Sequence, residues 1–104
     1  MDYKVKLRKP FQFEGETYTE IDLSALEDLN TSQLVEADKR FTRGGGISAI
    51  KEFDTGYACI ICSIATGKPV EFFLALPARD GMALKNKVGS FFYGDTLMSE
   101  QEKS

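Results

Sequence analysis

Between Tyr3 and Phe13 the chain alternates. Tyr3, Val5, Leu7, Phe11 and Phe13 place apolar side chains at odd positions, and Lys9 is the interruption. A period of two puts these side chains on one face of a strand. Glu14-Gly15-Glu16 supplies a turn, and Thr17 to Leu23 resumes a composition rich in β-branched and aromatic residues. The pattern predicts a β-hairpin. Pro10 is expected on its loop side or at an edge, because proline has no N–H to give to a strand ladder.

From Ser24 onward the pattern becomes helical. Ser24 is placed to cap a short turn running from Ala25 to Leu29. Asn30 is placed to cap a longer helix, with Gln33 reaching back to it. In that helix Leu34, Ala37 and Phe41 share a face, and Glu36 and Arg40 form an i,i+4 pair on the outer side. Gly44-Gly45-Gly46 ends it. The segment from Asp54 to Thr66 is almost entirely apolar and is broken by Gly67-Lys68-Pro69. Pro69 suits the first position of a new short helix, Val70 to Leu76. Pro77 then starts another from Ala78 to Tyr93, in which Leu84, Val88, Phe91 and Phe92 follow helical spacing and Gly94 is the stop. The expected fold is α+β, an N-terminal β-hairpin followed by a bundle of four to five short helices. It forms one domain over residues 1–94, with a flexible polar tail over 95–104.

Composition narrows the functional classes. The 104 residues suffice for one domain, and 42% hydrophobic with 28% charged residues is globular rather than disordered. The net charge is −3 and the pI about 4.9, with neither sign dominating a long stretch. That argues against nucleic acid, whose binders carry a basic face. The chain has no histidine, which removes the usual general base near neutral pH and the commonest metal ligand. No apolar run has the length of a membrane span, so no membrane is expected as a partner. The opening MDYKVKLRKP lacks the apolar core of a signal peptide. The expected compartment is therefore the cytoplasm, where two cysteines stay thiols.

Those two cysteines, Cys59 and Cys62, form a C-x-x-C in the run GYACIICSIATGKP. On a helix they share a face. Tyr57, Ile60, Ile61 and Ile64 make a bulky stripe, and Ala58, Cys59, Cys62 and Ala65 make a small one. Such a helix is apolar all round and belongs at the centre of the fold, with the cysteines acting as small hydrophobes. A zinc site needs four ligands, and only this pair is present. A redox site wants its first cysteine exposed at a helix N-terminus, whereas Cys59 lies about one turn inside an apolar run. The triple glycine fits neither the phosphate-cradling loop nor the dinucleotide fingerprint and reads as a helix stop. No spacing singles out a catalytic carboxylate pair, and Asp80 in the first helical turn complements the helix dipole. The residues thus imply no catalytic group, cofactor or metal.

Phe72-Phe73 and Phe91-Phe92-Tyr93 are the remaining signal. Adjacent aromatics on a helix cannot all face one core, so either several helices enclose them or one ring of each set is exposed. Exposed rings would mark a protein-binding patch.

GKPVEFFLALPARD at 67–80, VGSFF at 88–92 and the opening KVKLRKPFQFEGETYTEIDLSALEDL together resemble the tail assembly chaperones of Mu-like and related contractile-tailed bacteriophages. The resemblance runs from Lys4 to Phe92. It implies a non-enzymatic protein of the host cytoplasm, absent from the mature virion, that binds the tape measure protein and keeps it soluble during tail assembly. Further partners it implies are the tail tube protein and a frameshifted longer form of the chain itself. On that reading the client surface is the C-terminal helix around Leu84, Val88, Phe91, Phe92 and Tyr93. Self-association into a homo-oligomer through the same patch is the competing use. Two other readings stay open: a small thiol-redox protein using Cys59 and Cys62, and an unrelated bacterial adaptor.

Overall fold

The computed structural model describes residues 2–45 and 54–94. Strands β1 (Lys4–Phe13) and β2 (Glu16–Asp22) form an antiparallel hairpin. A short 3-10 turn (Ser24–Asp28) follows, then helices α1 (Thr31–Arg43), α2 (Thr55–Thr66), α3 (Val70–Leu74) and α4 (Ala78–Tyr93). This is the expected α+β architecture of hairpin and helices. The triple glycine straddles the limit of the described residues. Gly44 caps α1 and Gly45 follows it, while Gly46 and the polar tail at 95–104 lie outside them.

The hairpin turn uses Glu14 and Gly15, both at positive φ (49° and 82°). That pairing matches the right-handed twist of the flanking strands. The ladder runs Lys4↔Asp22 to Lys6↔Glu20 and resumes at Phe11↔Tyr18. Between these stretches four residues, Leu7 to Pro10, stand opposite Thr19 alone, so β1 bulges. Pro10 sits in the bulge, where no ladder bond is asked of it.

Helix α1 begins as its sequence predicts. Asn30 Oδ1 accepts the Gln33 N–H, and Gln33 Oε1 accepts the Asn30 N–H, both at 2.9 Å. The Glu36–Arg40 pair forms at 2.9 Å. Other boundaries differ. Ser24 is not a cap. It is the first residue of the 3-10 turn, and its N–H donates to Asp22 Oδ1 at 2.9 Å, so the preceding carboxylate organises the entry. Pro69 is the cap of α3 rather than its first residue, and α3 ends at Leu74 instead of Leu76. Leu76 precedes Pro77, which disfavours helical geometry there.

Helix α2 is central and touches α1, α3, α4 and the 3-10 turn. Ala58, Cys59, Ile61 and Cys62 are buried on it. The bulky stripe divides: Tyr57 and Ile61 are buried, while Ile60 and Ile64 are partly exposed. Gly67 ends α2 with φ +79°, and no substituent would improve on glycine there. Tyr57 links α2 to α1 twice, through its hydroxyl to Asp38 Oδ1 at 3.1 Å and edge-on to Phe41 at 5.5 Å.

Phe72 and Phe73 are both inside, at 1% and 2% exposure. Neither ring of this pair is left for a partner, because the hairpin supplies a second wall. Phe72 packs edge-on against Phe11, Phe13 and Tyr18 at 5.5, 5.3 and 4.8 Å, and against Phe73 at 5.0 Å. The Lys68 ammonium lies 4.8 Å from the Tyr18 ring centre and 5.2 Å from that of Phe72, closing the cluster from outside.

Candidate functional site

The cysteine pair is sealed in the core. Cys59 and Cys62 are free thiols, both buried. Burial raises both above the ordinary cysteine value. The Asp54 carboxylate adds to the rise at Cys59, and Cys59 adds to it at Cys62. A redox thiol requires the opposite shift and access to a partner. Among the described residues no cluster of three or more His, Cys, Asp or Glu could hold a metal ion.

The five residues of α4 expected to form a client patch do not lie on one surface. Leu84 and Val88 are fully buried against the helical core, because the i,i+4 stripe they share is the one α4 turns inward. Phe91 and Phe92 are half-buried and meet edge-on at 5.4 Å, while Tyr93 is 39% exposed. The accessible part of the expected patch is therefore the last turn of α4.

A second apolar surface escaped the sequence. Phe41 of α1, Ile60 of α2, and Val70 and Leu74 of α3 line an open groove of about 390 Å³, with Arg40 and Asp54 among its polar lining. Leu74 is 62% exposed. Each element contributes for a local reason. Asp54 fixes the start of α2 by accepting the Gly56 and Tyr57 N–H groups at 2.8 and 3.3 Å. Ile60 is the member of the bulky stripe furthest from the small buried face. Leu74 follows Phe72 and Phe73, and with those two rings inside, the next residue of so short a helix faces out. Local spacing gives no signal for the groove, because Phe41 and Ile60 both fall on apolar stripes and only the packing of α1, α2 and α3 leaves their edges open.

No family model matches the sequence, and no curated protein or solved structure matches it. The site therefore rests on its own geometry. It offers aliphatic side chains in an open trough with charges among its lining, together with a separate aromatic turn at the end of α4. Such surfaces take up apolar side chains of another polypeptide by exclusion of water. No helix among the described residues is long and apolar enough to cross a membrane.

Proposed function

We propose that this protein is a non-enzymatic tail assembly chaperone of a contractile-tailed phage or prophage. It binds the tape measure protein and holds it soluble in the host cytoplasm until tail tube subunits polymerise around it, and it stays out of the mature virion. The observation that carries this reading is the open aliphatic groove across α1, α2 and α3, with Leu74 at 62% exposure. A tape measure protein is long and helical, and one amphipathic helix lays its apolar face into a trough of this kind. The last turn of α4, with Phe91, Phe92 and Tyr93, is the second contact. The resemblance over Lys4 to Phe92 supports the assignment. The buried thiols with raised pKa weigh against the redox alternative. An adaptor for another client would use the same surfaces and differ only in what it binds.

Co-expression with the tape measure protein encoded nearby, with and without the longer frameshifted product, tests the proposal. The client should become soluble and co-elute on size exclusion. Leu74→Glu and Phe92→Ala should release it without unfolding the chain. If the client stays insoluble and no complex forms with either product, the chaperone reading is wrong.

A further inference from the structure

On the outer edge of β1 the N–H groups at either end are taken and the one between them, at Lys6, is free among the described residues. Leu23 donates its N–H to the Tyr3 carbonyl at 2.9 Å, so the peptide groups of Tyr3 and Val5 face β2. In an antiparallel ladder alternate residues turn the other way, and those of Lys4 and Lys6 therefore face outward; Arg8, in the bulge, also turns its N–H outward, towards Asp80. Two of these outward N–H groups are occupied: Lys4 donates to Asp2 Oδ1 at 3.0 Å, and Arg8 donates to Asp80 Oδ1 at 3.3 Å. The Arg8–Asp80 contact pins the bulge of β1 to the first turn of α4. Past it the strand and helix part, and a groove of about 360 Å³ opens, lined by Lys4 and Lys6 from β1 and by Asn86, Lys87 and Ser90 from α4.

The charge of this groove runs against that of the whole chain. The protein carries a net −3, yet four basic residues stand on β1 and three on α4, and the one acid on either element is the buried Asp80. Lys6 and Lys87 form no ion pair among the described residues. Lys4 meets Glu20 at 3.5 Å with both side chains about half exposed (57% and 42%), a pairing that a competing carboxylate displaces at little cost.

We propose that the groove between β1 and α4 binds an extended acidic polypeptide segment, which adds to the outer edge of β1 and sets its carboxylates against Lys4, Lys6 and Lys87. The outward peptide group of Lys6 supplies the main-chain hydrogen bonding, and the lysines supply selection for acidic residues at alternate positions. The edge also decides between classes of polyanion. A nucleic acid has no backbone amide to pair with the Lys6 peptide group, whereas an extended polypeptide has one at every residue. This surface is separate from the groove over α1 to α3 and does not depend on the chaperone reading.

The test is fluorescence anisotropy of a labelled short peptide of alternating Glu and Val, titrated with the full chain at low and moderate salt. A Gln-for-Glu peptide and an oligothymidylate of similar length serve as comparisons. The Glu peptide should bind, lose affinity as salt rises, and bind better than the Gln peptide. Lys87→Glu should weaken it by about tenfold by reversing a facing charge. Lys6→Pro should weaken it similarly while leaving the hairpin folded, because the Lys6 N–H faces away from the β2 ladder. Absence of binding would overturn the proposal. So would binding indifferent to Lys6→Pro, or tighter binding of the oligothymidylate, which would make the groove a nucleic-acid site.

Discussion

Phe72 is the residue whose removal tests the packing of hairpin on helices most directly. It is 1% exposed and is surrounded edge-on by Phe11, Phe13, Tyr18 and Phe73 at 4.8 to 5.5 Å. Phe72→Ala removes the buried ring and leaves a cavity whose walls belong to separate elements. Closing it would require β1, β2 and α3 to shift together, so relaxation is limited. Substitutions of this kind cost about 3–5 kcal/mol, and the poor prospects for collapse place this one near the upper half, about 4 kcal/mol. Small domains have about 5–15 kcal/mol in total, so the variant is left marginal. Phe72→Leu keeps most of the volume and loses the ring–ring geometry, for a cost of about 1–2 kcal/mol.

Urea unfolding followed by far-UV circular dichroism measures both variants. The midpoint should fall in the order wild type, Leu, Ala, with the slope unchanged. A Phe72→Ala cost below about 1.5 kcal/mol would show that the hairpin does not rest on this ring. Equal costs for Ala and Leu would show that the aromatic geometry contributes the whole effect and the cavity none.

Three further outcomes follow from local geometry. Asn30→Ala removes the acceptor for the Gln33 N–H and should cost about 1 kcal/mol in the same unfolding assay. Cys59 and Cys62 should resist a thiol reagent in the native protein and react fully in denaturant, since both are buried. Their folded pKa values are raised above the ordinary 9.0. The unfolded chain therefore loses these protons first. Their contribution to stability is complete below pH 9.0 and is lost as pH climbs from there through the raised folded values, which the midpoint of unfolding against pH will show.

The hairpin, the Asn30 cap, the central α2 and the extent of α4 were legible because each is written in local chemistry: alternation, a capping pair, an all-apolar run, flanking proline and glycine. Pairings across elements were not. Nothing near Phe72 in the chain announces that Phe11, Phe13 and Tyr18 will cover it, so the sequence left open whether both adjacent rings are enclosed or one is exposed. Helical spacing correctly grouped Leu84 with Val88 but gave no sign of which way that stripe would face. The β1 bulge was equally hidden, because four residues facing Thr19 are visible only once both strands are laid side by side. Asp80 read only as a first-turn carboxylate complementing the helix dipole, with no sign of its burial. Its 2% exposure comes from β1 crossing over it, and its Oδ2 is left without a hydrogen-bond partner.

The long reach of the Phe72 contacts has a consequence for synthesis on the ribosome. The hairpin is made first, and its aromatic face has nothing to bury against until α1, α2 and then α3 have left the exit tunnel. A two-stranded sheet alone is marginal in water. Through most of translation, then, Phe11, Phe13 and Tyr18 remain wet, and loop closure over the whole of α1 and α2 must precede their docking. Folding of this chain is thereby timed by the emergence of Phe72, and chains released before that point would carry an uncovered aromatic strand pair open to aggregation.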